Sequence, residues 1–187
     1  MPPDYEGLYI KQLRLNDEGV FGLLEQKDPA KQKIHENIAA EYIKKISGIK
    51  NFRQLGTAEL SLLGGAVISH REVRQRGGTS RAKTIDFSWK FCGKEFYASH
   101  KYTRGHSGGS QGSQYKDLQQ FIREANESTG QGQFFVGICD GDYYRYRDAE
   151  SNSTRMERLN NLANRRNVFA MPIEKLEEWL KSLCKND

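Results

Sequence analysis

The chain has 187 residues, 28% charged and 36% hydrophobic, and a formal net charge of +5 at pH 7. That length suits one domain with its own core, and no run approaches the roughly 20 apolar residues of a membrane helix. Met1 to Glu6 lack the basic and apolar regions of a secretory signal. A cytoplasmic protein is therefore expected. Cys92, Cys139 and Cys184, odd in number and far apart, read as reduced thiols and not as a disulfide frame or zinc site.

Residues 1 to 30 are mixed in pattern until Asp28-Pro29-Ala30, which reads as a helix start. Ile34, Ile38, Tyr42, Ile43 and Ile46 then recur at helical spacing up to Gly48. Glu36 and Glu41 lie on this helix, where a glutamate is ordinarily solvated surface. Thr57 to Leu63 reads as helical or irregular, Ala66-Val67-Ile68 as a short strand, and Arg74 to Arg81 as a flexible basic loop. Such a loop can meet phosphates through its arginines and amides, or it can be an ordinary connection.

A β-hairpin is expected next. Ile85, Phe87, Trp89 and Phe91 alternate with Thr84, Asp86, Ser88 and Lys90; beyond Gly93, Phe96, Ala98 and His100 alternate with Tyr97, Ser99 and Lys101. Pairing Cys92 with Glu95 would set Asp86 across from Lys101 and Ser88 across from Ser99, about 5 Å apart. An acid and a lysine would then share the face away from the apolar one.

Tyr102 to Ser113, rich in glycine and serine, reads as a mobile loop beside that face; it lacks the Gly-Lys-Ser/Thr of a P-loop. Gln114 to Ala125 is a predicted helix on Tyr115, Leu118, Ile122 and Ala125, and Phe134 to Cys139 a strand buried on both faces. Asp140-Gly141 reads as a turn, Arg155 to Arg166 as a helix and Asn167 to Met171 as a strand. Pro172 opens a final helix. Tyr143, Tyr144 and Tyr146, interleaved with Arg145 and Arg147, divide between core edge and a surface for DNA or a partner chain. His35, His70, His100 and His106 have no metal-ligand spacing. The expected architecture is one α/β domain over residues 1–187, a small mixed β-sheet flanked by helices.

Nine basic residues but only three acids fall between Arg71 and Arg104. Such a stripe favours a polyanionic partner, with Arg74, Arg76, Arg81, Lys83 and Arg104 as candidate nucleic-acid contacts; the plainer reading is a solvated basic face. An acid beside a lysine suits phosphodiester hydrolysis. The carboxylate can hold Mg²⁺ and the lysine can position water or stabilise developing charge.

The order of a helix glutamate, a hairpin aspartate and x-x-Lys on the next strand resembles the PD-(D/E)XK nuclease superfamily. More closely, His100-Lys101-Tyr102, the Gly/Ser loop, Gln111 and the helix Tyr115 to Glu127 are similar to the FokI-type cleavage domain of type IIS restriction endonucleases. The spacing from Glu36 through Glu41 to Gly48, the strand Phe134 to Gly137, and Arg158-Leu159-Asn160 leading into Val168-Phe169-Ala170 fit the same template, over roughly residues 30 to 183. The resemblance implies a nuclease-like α/β core in which Asp86 binds the metal and Lys101 is the catalytic lysine. Glu36, ahead of Glu41, is the helix carboxylate, and His100 turns its backbone carbonyl to the metal. Ser99 departs from the family, which has Asp or Glu at that position.

Over the length the resemblance covers, no stretch is expected to form a DNA-recognition domain. The resemblance therefore extends to small catalytic subunits of heterodimeric type IIS enzymes. These cut one strand of double-stranded DNA with Mg²⁺ when docked to a larger site-specific nicking subunit. Two other readings stay open: a nuclease-fold assembly or DNA-binding protein impaired at Ser99, and a homodimeric structure-specific nuclease.

Overall fold

The structure, a computed structural model, describes residues 29–56, 59–77, 81–103, 109–147 and 152–184. Helix α1 (Pro29–Lys44) forms where the isoleucine spacing predicts it, and Ile38, Ala39, Ala40 and Ile43 are buried. Strand β1 (Lys50–Gln54) was not expected, since Lys-Asn-Phe-Arg-Gln has one apolar residue and lies on a sheet edge with its neighbours exposed. Residues 60–63, read as helical or irregular, are instead strand β2 (Leu60–Leu63). It pairs antiparallel with β3 (Ala66–Ser69) across Gly64-Gly65 and buries Leu62.

Helix α2 (His70–Gln75) replaces the first part of the expected basic loop. Ser69 and Glu72 form its capping box, so Arg74 is helical and Arg76 closes the helix. Strand β4 (Lys83–Thr84) pairs with β2, completing a three-stranded sheet in the order β3-β2-β4. The chain then crosses into the main sheet through β5 (Phe87–Phe91) and β6 (Lys94–Tyr102).

This crossing corrects the expected hairpin. Ile85 packs with Leu62 and Leu118, whereas Phe87, Trp89 and Phe91 pack with Ala39, Ile43 and Phe96 on the other side of the sheet. The register is also shifted by two residues: Phe87 pairs with Ala98, and Phe91 with Lys94. The turn is Cys92-Gly93, with φ of 45° and 72°, the pair of positive φ angles that a two-residue hairpin turn requires. Only Gly93 announces that conformation in the sequence; Cys92 adopts it unannounced.

Helix α3 (Gly109–Asn126) starts earlier than predicted, inside the Gly/Ser stretch. Strand β7 (Gln133–Asp140) runs parallel to β6 and includes Asp140, which was read as a turn residue. Tyr143 and Tyr144 lie in a short 3₁₀ turn and are core residues, so neither offers a surface to DNA. Helix α4 (Arg155–Leu162) stops before the predicted Arg166. Strand β8 (Val168–Met171) adds to β7 in parallel, and α5 (Leu176–Leu183) ends the described chain.

The molecule is thus mixed α/β, with a five-stranded mixed sheet in the order β1-β5-β6-β7-β8. One core lies between the sheet, α3, α4 and the small sheet; the other lies under α1 and α5. Among the described residues no helix is long and apolar enough to cross a membrane. The reading of three reduced thiols is corrected as well. Cys92, at the hairpin turn, is disulfide-bonded to Cys184 just past α5, and only Cys139 is free and buried.

Candidate active site

Asp86 sits where the chain passes from the small sheet to the large one. Its backbone N–H donates to Ala98 O at 2.8 Å and its carbonyl accepts from Leu55 N–H at 2.9 Å. The junction is therefore locked from both sides. Continuing the β5–β6 register by one step sets Asp86 across from Ser99, not from Lys101. The buried Ser99 hydroxyl donates to Asp86 Oδ2 at 3.1 Å, and the His100 amide donates to the same oxygen at 2.7 Å. Lys101 Nζ lies 3.5 Å from it. Aspartate and lysine are brought together as the sequence suggested, but diagonally, with the serine between them.

Both side chains are largely enclosed, Asp86 at 14% and Lys101 at 15% exposure. At that burial an ion pair is screened less than at an open surface. Asp86 Oδ1 receives no hydrogen bond from a described residue.

Strand alternation assigns the other residues. Tyr97, which packs with the α3 core, shares its side of β6 with Ser99 and Lys101, while Phe96 and Ala98 face α1. The His100 ring points to the α1 side and is fully buried, with Nε2 3.1 Å from Asp140 Oδ2. Asp140 Oδ1 also accepts the Ile173 amide at 2.9 Å. This buried His–Asp contact was missed because Asp140-Gly141 imitates a turn. A signal existed: a strand running one residue further pairs Asp140 with Tyr102 and so makes it a diagonal neighbour of His100 on the same face.

Glu36 is on α1, which covers the face opposite the Asp86–Lys101 pair, and it is not among the partners of Asp86. Its neighbour His35 stacks on Tyr102 with ring centroids 3.6 Å apart, so this part of α1 adjoins the end of β6. Burial, then the nearby His100, push the His35 pKa down to about 4 against the opposing pull of Asp140. Among the described residues no group of three His, Cys, Asp or Glu side chains has a metal-binding arrangement.

Of the basic candidates, Arg74 and Arg76 are exposed on and after α2. Arg81 pairs with Glu124 at 3.1 Å and Glu127 at 3.3 Å, and Lys83 pairs with Asp117 at 2.8 Å. Arg104 lies outside the described residues. No protein-family model matches the chain, and no curated protein or solved structure matches it either.

Proposed function

We propose that this chain is a DNA-cleaving subunit with a PD-(D/E)XK nuclease-like core. It hydrolyses one strand of double-stranded DNA with Mg²⁺ when associated with a larger site-specific nicking subunit of a type IIS restriction system. The observation that carries this reading is the enclosed pair of Asp86 and Lys101, 3.5 Å apart at the junction of the two sheets. Two hydrogen bonds and the Lys101 ion pair hold Asp86 through one oxygen, so the other could face a cation. Magnesium is commonly held by one or two carboxylates plus substrate phosphate and water, and Asp86 fits that pattern. The His100 backbone carbonyl is the second candidate ligand; Glu36, on the helix that covers the opposite face, would join them only from around the end of β6. A cation held there would supply polarisation of the scissile phosphate and a more acidic water. Lys101 supplies a positive charge beside the carboxylate to orient the attacking water or stabilise charge on the phosphate. A cytoplasmic setting belongs to the same proposal; reductants there act on the Cys92–Cys184 bond.

Ser99 supports a second reading, a catalytically impaired nuclease-fold protein that only assembles on DNA, since a hydroxyl adds no negative charge for a cation. Plasmid cleavage with Mg²⁺ separates the readings, using the chain alone, the chain with a candidate nicking subunit, and the same mixture with Asp86→Ala. Double-strand breaks in the mixture should fall about 100-fold or more with Asp86→Ala, the scale of losing a principal electrostatic group. Unchanged cleavage by the variant mixture sinks the first reading. Cutting of branched DNA by the chain alone would instead indicate a homodimeric structure-specific nuclease.

A further inference from the structure

A second basic feature lies on the α3 side of the molecule. Arg81 and Lys83, leading into and forming β4, line a groove of about 480 Å³ together with Lys116, Asp117, Gln120 and Arg123 of α3. Gln119 completes it, and no apolar side chain takes part. Lys116, Gln119/Gln120 and Arg123 recur at i, i+3/i+4 and i+7, a stripe about 10 Å long on one helix face.

The cations differ in how far their charge is already matched. Lys83 is held by Asp117, and Arg81 by the buried Glu124 and exposed Glu127. Glu124 also accepts from the Gly64 amide at 2.7 Å and from Gln120 at 2.7 Å, which ties this part of α3 to the β2–β3 turn. Lys116 and Arg123 are exposed, and no acid among the described residues pairs with either.

We infer that this groove binds the phosphate backbone of a DNA strand, with Lys116 and Arg123 as its charge contacts and Gln119 and Gln120 as amide donors. The inference rests on the nuclease reading and adds to it a substrate track apart from Asp86. Cations and amides without base-reading geometry are what backbone positioning uses. An acidic protein partner fits less well, because protein interfaces are anchored by buried aromatic and apolar side chains, which this groove lacks. Its position is apt. Lys83 precedes Asp86 by three residues, about 10 Å of extended chain, or roughly three nucleotides of rise along one strand.

The test is fluorescence anisotropy of a labelled 20-base-pair duplex in EDTA buffer, where binding is read without cleavage, across a salt series. Lys116→Ala/Arg123→Ala should weaken binding about tenfold and lower the slope of log K against log salt by about 2, one step per lost phosphate contact. Lys116→Arg/Arg123→Lys should keep the wild-type slope. An unchanged slope in the alanine variant, or no duplex binding by the wild type, overturns the inference. So does labelled polyglutamate bound as tightly as DNA and lost in the same variants, which would mark a protein-docking surface. The nuclease reading fails separately: if Asp86→Ala cuts normally while the groove variants still lose DNA, the track stands and the assigned active site does not.

Discussion

Two hydrogen-bond donors and the Lys101 ammonium converge on one oxygen of Asp86, and one of those donors, the Ser99 hydroxyl, stands where the proposed nuclease site would call for a carboxylate. A hydroxyl fixes the carboxylate's orientation but adds no charge for a cation. Ser99→Asp replaces that donor with a second acid at a distance where two carboxylates resist ionising together. Without metal the variant loses a charge-assisted hydrogen bond worth about 2 kcal/mol, and its Tm should fall by about 5 °C for a chain of this size. Mg²⁺ should recover that loss and raise the variant's Tm more than the wild type's. Thermal unfolding across a Mg²⁺ titration checks this, and a variant indifferent to Mg²⁺ shows that the position does not face a cation.

At the scale of elements, the site depends on the small sheet that delivers the chain to Asp86. Gly65, at φ 74°, closes the β2–β3 hairpin against α3; a Cβ there would lie 2.4 Å from the backbone of Glu127 and Ser128. Neither neighbour is a flexible side-chain tip. Gly65→Ala should therefore cost about 3 kcal/mol from backbone strain and forced displacement, read as a lower urea midpoint. A stable variant would mean that the hairpin and helix end can separate freely. This sheet is also where the sequence is hardest to read. Helix α1 and strands β5 and β6 declare themselves because their apolar residues recur at the helical or strand period, and β7 and β8 because they are short apolar runs buried on both faces. Leu60-Ser-Leu-Leu is too short for either period to show, and Lys50–Gln54 is an edge strand held by backbone pairing to β5. The Asp86–Lys101 pair was legible because the alternation of β5 and β6 brings their ends together, although Asp86 itself lies just before β5. Its register was not, because a cysteine takes a positive φ in the turn. Asp140 was hidden behind a glycine.

For the whole molecule, the decisive covalent feature is one that no local pattern could show. Cys92 and Cys184 are 92 positions apart, and only the packing of α5 against the β5–β6 end of the sheet brings their Cα atoms within 6.0 Å. Closing a loop of that length restricts the unfolded chain by about 4.6 kcal/mol in the chain-entropy account. Reduction, or Cys184→Ser, should lower the Tm by about 10 °C, as read by thermal unfolding with and without reductant. An unchanged Tm would show that the reduced chain unfolds from an already restricted state.

The same bond makes β6, α3, β7, α4, β8 and α5 a closed covalent ring, with residues 1–91 leaving it as a tail. Held by its two ends in an optical trap, the oxidised protein cannot surrender the stretch inside that ring, whose cysteines are 92 positions apart. Its full extension should fall short of the reduced protein's by about 330 Å, at up to 3.6 Å per residue. Under force, then, the half of the sequence that carries Lys101 and the groove helix is mechanically invisible until the sulfur link is cut.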